Sequence, residues 1–104
     1  MLHLVIAIHT PDTCPASRTG IRETFFGELE RLDEAASELG ASVQGSWSDM
    51  TGHGLYLLVD APDAHTVQRL AAAVRLMDWS AVDIKPLVEL SDAAGRIGQR
   101  EALM

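Results

Sequence analysis

The stretch ASVQGSWSDMTGHGLYLLV, residues 41–59, decides how the rest of this chain is read. From Ala41 to Asp49 the residues alternate, with Ala41, Val43, Gly45 and Trp47 on one side and Ser42, Gln44, Ser46 and Ser48 on the other. That is the period of a half-buried strand. Asp49-Met50-Thr51-Gly52 carries turn chemistry and residues 55–59 resume an apolar strand, so the stretch predicts an antiparallel hairpin. A lone hairpin is marginal in water and needs further elements to cover it. Both flanks supply them.

Upstream, Ile21, Phe25, Leu29, Leu32, Ala36 and Leu39 recur every three or four residues and draw one apolar stripe along a helix. Ser17 or Thr19 can cap its start, and Gly40 can end it in a left-handed conformation. Before it, residues 2–9, LHLVIAIH, form an apolar run stopped by Pro11, which suits a central strand. Leu2, Leu4, Ile6 and Ile8 are assigned to the helix side of that strand, leaving His3, Val5, Ala7 and His9 on the open face. Downstream, Asp63 offers a cap for a second helix, with Val67, Leu70, Ala71, Val74 and Met77 as its stripe, running to about Asp78. Val82, Ile84, Val88 and Leu90 then alternate around Pro86, which tolerates only an edge or bulged strand. The expected organisation is one domain over residues 1–90 and a C-terminal arm or short helix over 91–104, with Gly95, Arg96, Gly98 and Arg100.

This order, strand-helix-strand-strand-helix-strand, resembles the α+β ferredoxin-like fold and, more narrowly, the dimeric alpha/beta barrel group. The resemblance spans residues 2–90 and rests on element order. It implies a four-stranded antiparallel sheet in the order fourth, first, third, second, with helices on one face and a partner copy on the other. Cofactor-free monooxygenases, haem-handling enzymes, isomerases and ligand-binding modules share that architecture, so the fold alone names no function. An open face carrying Val5, Ala7, Tyr56, Leu58 and Leu87 also points to a homodimer, because it is a large apolar area to leave in water.

Composition removes several classes of function. The formal net charge is -7 over 104 residues, and Lys85 is the only lysine, so no nucleic-acid surface is expected. One cysteine makes no intrachain disulfide, which gives a cytoplasmic expectation. The apolar start lacks a basic leader and is far too short for a membrane span, so no membrane partner is expected. There is no glycine-rich phosphate cradle, Cys-x-x-Cys pair, Gly-x-Ser-x-Gly elbow or His-Glu-x-x-His, so nucleotide hydrolysis, dithiol redox chemistry and the familiar hydrolase routes have no support.

What remains is His9-Thr10-Pro11-Asp12-Thr13-Cys14-Pro15, where an imidazole and the sole thiol leave the end of a strand together. The sheet order implied by the resemblance brings His53, at the start of the third strand, beside His9. His9, Cys14 and His53 then form a candidate metal site, two imidazoles and a thiolate suiting Zn or Cu, with Met50, Asp49 or water completing the shell. His3 and His65 fall at the opposite end of the sheet and are expected to take no part. His53 shares the phase of Leu55, Leu57 and Val59, so it reaches an open-face His9 only through a bulge at Gly52-His53-Gly54. Cys14, before Pro15 and near a helix start, has the setting of a reactive thiolate, although a lone cysteine is commonly an inert small side chain.

Trp47 and Tyr56 are candidates for a substrate pocket, or for plain cross-strand packing. Arg18 and Arg22 are candidates for binding an anionic substrate group, or solvated helix charges. The leading reading is a small homodimeric metal-binding protein, with catalysis on a small organic substrate left open. The alternative is a metal-free dimeric ligand-binding module, or a cofactor-free monooxygenase-like protein using the open sheet face.

Overall fold

The computed structural model describes residues 1–103, with side chains to residue 99. The elements run β1 (Leu2–Ile8), α1 (Thr19–Glu38), β2 (Ser42–Asp49), β3 (Gly54–Asp60), α2 (Ala64–Ala73), β4 (Ala81–Pro86) and α3 (Leu90–Leu103), with short 3-10 turns at Pro11–Thr13 and Leu76–Asp78. The four strands form one antiparallel sheet in the order β2-β3-β1-β4, the expected ferredoxin-like arrangement read from the other edge. The hairpin of β2 and β3 lies at one side of the sheet. β4, carrying Pro86 at its end, lies at the other edge, where a missing N–H leaves no ladder bond unmade. No helix among the described residues is long and apolar enough to cross a membrane.

The core lies between the sheet and α1 and α2. Val5, Ala7, Leu57 and Val59 face Leu32, Ala36, Val67 and Leu70 across it. This reverses the expected parity of β1: the odd residues His3, Val5 and Ala7 are buried under the helices, and Leu2, Leu4, Ile6 and Ile8 lie on the open face. The register explains the reversal, since Val5 sits opposite Leu57 and Ala7 opposite Leu55, and cross-strand partners share a face. Val5 and Ala7 therefore leave the open-face set, which is instead built from Leu4, Ile6, Tyr56 and Leu58. In β2 the expected single alternation is broken by a bulge between Val43 and Gly45, so Val43 turns to the core while Gly45 and Trp47 turn to the open face.

The helix ends mostly follow their local chemistry. Gly40 takes φ +74°, its N–H donating to the Ser37 carbonyl and that of Ala41 to the Ala36 carbonyl, which closes α1. Asp63 caps α2 by accepting from the Thr66 N–H at 2.8 Å and the Thr66 hydroxyl at 2.9 Å. At the start of α1 the expected side-chain cap is absent: Arg18 holds the cap position, and the Ser17 hydroxyl donates to the carbonyls of Pro11 and Cys14. α2 stops at Ala73, short of Asp78, because Arg75 enters the left-handed region at φ 57°. That residue resets the helical phase, so Leu76 and Trp79 are buried and Met77 is exposed. β4 ends at Pro86, and Val88 and Leu90 are exposed rather than alternating in a strand, because α3 begins at Leu90.

Candidate metal centre and adjoining cavity

β1 ends at Ile8, and His9 follows it with its N–H donating to the His53 carbonyl at 3.0 Å. This bond continues the β1 to β3 ladder by one step and fixes the two histidines side by side. Their rings meet edge to face, with centroids 5.2 Å apart and planes at 79°. The expected bulge at Gly52-His53-Gly54 is not needed. Because odd residues of β1 face the helices, His9 and His53 share that side without any reversal. His53 does carry a special backbone, φ 53°, at the close of the turn. Asp49 builds that turn: its Oδ1 accepts from the Thr51 N–H at 3.0 Å, the Thr51 hydroxyl at 2.7 Å and the Gly52 N–H at 3.0 Å.

Cys14 is delivered by a separate, stapled loop. Its N–H donates to the Pro11 carbonyl, and its own carbonyl accepts from the N–H groups of Ser17 and Arg18, both at 3.0 Å. Arg18 Nε donates to the Asp12 carbonyl at 2.9 Å, and Arg22 donates to the carbonyls of Pro15 and Ala16 at 3.0 and 2.7 Å. The two arginines thus fasten residues 12–16 to the first turns of α1. One ligand atom each from His9, Cys14 and His53 lies within 4.8 Å of the others, all three residues being half-buried. Ions held at about 2.0–2.3 Å from nitrogen and sulfur need donors somewhat closer than this, a closure of roughly 1 Å on loading. These three side chains could hold a metal ion.

The electrostatics suit that use. Burial, and then the charge of neighbouring His53, holds the His9 imidazole below its ordinary protonation range, leaving a neutral ring with a free lone pair. Both ring nitrogens of His9 are buried without a hydrogen-bond partner among the described residues. Asp49 is also held below the usual carboxylate range, first by the Thr51 hydroxyl and the Gly52 N–H, with His53 adding to the effect.

A cavity of about 310 Å³ opens beside the three donors, lined among others by Phe25, Phe26, Met50, Leu55 and Trp79. Of the residues expected to hold substrate, Arg22 lines it, with its guanidinium turned to the loop carbonyls. Arg18, Trp47 and Tyr56 do not line it. Trp47 and Tyr56 are register partners on the open face, where the 56% exposed indole lies over Gly45. His3 lies at the far end of β1, opposite Val59 and Pro86, away from the site as expected. Trp79 is the residue sequence reasoning missed: 6% exposed, its ring sits 5.4 Å from that of His9. Its position after the left-handed Arg75 hides it from any helical stripe.

No curated protein matches this chain. Among solved structures, that of Rv0793 from Mycobacterium tuberculosis is similar, with 18% sequence identity and a TM-score of 0.41, covering 86% of this chain and 99% of that one. A family model described as "Domain of unknown function (DUF3303)" matches residues 9–100, a span that contains His9, Cys14 and His53. The chain belongs to that family.

Proposed function

We propose that this domain is a small homodimeric metal-binding protein in which His9, Cys14 and His53 hold Zn(II) or Cu(I) beside a cavity for a small organic substrate. The observation that carries this reading is the convergence of three donor atoms within 4.8 Å from two loops and a strand end. The unpartnered nitrogens of His9 add to it, since buried polar atoms without a partner are destabilising and an ion would engage one of them. Two imidazoles and one thiolate form a borderline-soft set, and three protein donors leave a fourth position for water or substrate, the arrangement of a catalytic ion. A cytoplasmic setting, which keeps a lone thiol reduced, fits that donor set. Dimerisation is supported by the open face, where Leu4, Ile6, Tyr56 and Leu58, each partly exposed, lie on the side of the sheet away from α1 and α2.

The test is elemental analysis of purified protein equilibrated with micromolar Zn and Cu, together with a His53→Gly variant. Glycine accepts the positive φ of position 53, so that variant keeps the turn while losing the ligand. About one ion per chain is expected in the parent and none in His53→Gly or Cys14→Ala. Folded parent protein that retains no ion would end the reading.

A second reading, a metal-free dimeric ligand-binding module or a cofactor-free monooxygenase-like protein, is favoured by the apolar open face itself. It expects ligand binding unchanged by Cys14→Ser.

A further inference from the structure

We infer that the ion's open side receives a flat ring compound, its body uncharged, through a single nitrogen, oxygen or sulfur donor. This rests on the metal reading and specifies what would enter beside the ion. Four ring contacts run in series from the donors into the cavity. His53 meets His9 at 5.2 Å between centroids, His9 meets Trp79 at 5.4 Å, Trp79 meets Phe25 at 5.9 Å, and Phe25 meets Phe26 at 5.6 Å. An unbroken aromatic wall thus begins at the candidate ligands themselves. Aromatic walls favour flat guests through offset and edge-to-face contact.

The volume, about 310 Å³, lies at the low end of small-molecule pockets, so the guest has one or two rings. A smaller apolar recess of about 40 Å³ adjoins it, sharing Phe25, Leu55 and Trp79, and extends the apolar surface toward the core. The two ionised groups at the rim are engaged by their own loops: Arg22 donates to the carbonyls of Pro15 and Ala16, and Asp49 Oδ1 accepts from the Thr51 N–H, the Thr51 hydroxyl and the Gly52 N–H. Away from the ion, a charged group on the guest would lose water with little opposite charge to meet, so any charge is confined to the atom that meets the ion. An apolar body with one donor atom is therefore what the wall and the ion select together.

The probe pair is imidazole and 4-phenylimidazole, titrated calorimetrically into the whole chain loaded with Zn(II), with bound Zn measured before and after. The phenyl compound is expected to bind at least tenfold more tightly than imidazole. Phe26 is more than half exposed and lines the cavity, so Phe26→Ala removes one end of the wall without adding a ligand atom. That variant is expected to lower the preference for the phenyl compound at least threefold, with bound Zn and imidazole affinity measured alongside. Failure of the chain to retain Zn overturns the metal reading and this inference with it. Retained Zn with equal affinity for both probes overturns the inference alone, as does a preference unaffected by Phe26→Ala.

Discussion

The two ends of β1 present the same side chain in opposite circumstances. His3 lies in β1 and His9 directly follows it, both on the helix side of the sheet, and the ring nitrogens of both are buried without partners among the described residues. His3 is 0% exposed and packed into the core, while His9 stands at the mouth of a cavity with a second imidazole and a thiol beside it. An unsatisfied imidazole is therefore not a site by itself. What makes the His9 end a candidate is its neighbours, and those arrive through the β1 to β3 register and the stapled loop.

The largest expected effect separates the two ends directly. Zn(II) at a hundredfold excess over its Kd stabilises the folded state by about 2.7 kcal/mol, on the order of 10–20 °C in Tm for a domain of this size. Thermal unfolding with and without Zn should show that rise in the parent and in His3→Leu, and no rise in His9→Ala or Cys14→Ala. A rise abolished by His3→Leu would make the two ends equivalent and break the contrast.

The next effect concerns the buried ring of His3. Replacing an unpartnered buried polar group with an apolar one of similar size is expected to stabilise by about 1–2 kcal/mol. Denaturant unfolding of metal-free His3→Leu should give a higher midpoint than the parent with an unchanged slope. A lower midpoint would mean that His3 has a polar role in the core.

How much of this was legible in the sequence follows from where its pattern was unambiguous. The hairpin of residues 41–59 with its turn at Asp49 and the stripe from Ile21 to Leu39 were legible, and the sheet order came with the ferredoxin-like resemblance. The facing within residues 41–49 was not legible, because of the bulge between Val43 and Gly45. Nor was the facing of β1, because Leu2 to Ile8 is apolar on both faces apart from His3, and a histidine is more readily assigned outward than to a core. That one reversed parity moved His9 to the wrong side and created the need for a bulge at His53 that the structure does not require. The convergence of His9, Cys14 and His53 survived because topology, rather than facing, brings the strand ends together. Trp79 and the aromatic wall stayed hidden because a left-handed Arg75 breaks the period that would have located them.

The left-handed backbone gives a smaller contrast between two more positions. Gly40 adopts φ +74° freely, whereas His53 holds φ 53° with a side chain attached. Gly40→Ala is expected to destabilise by roughly 1 kcal/mol. His53→Gly in metal-free protein should be neutral or slightly stabilising, because strain and glycine's added chain entropy oppose each other. Equal losses at both positions in denaturant unfolding would mean that His53 is held by contacts beyond its ladder bond.

The smallest effect is read in acid, at the His3 end. The Thr66 N–H and hydroxyl hold the Asp63 carboxyl below its ordinary value of 3.8, with the charges of His65 and His3 adding to the effect. A folded-state value below the unfolded one means that the cap's ionic contribution is fully present above about pH 4 and is lost as pH falls through the folded value. Asp63→Asn keeps an oxygen for the Thr66 N–H and removes the titration. The Tm difference between parent and Asp63→Asn should therefore be flat from pH 7 to about 5 and shrink below 4. Asp49, held down by Thr51 and Gly52 at the other end, still titrates in the variant, so the variant keeps part of the acid slope. A difference that grows as the pH falls would have the wrong sign for a depressed carboxylate and would remove Asp63 as an ionised cap.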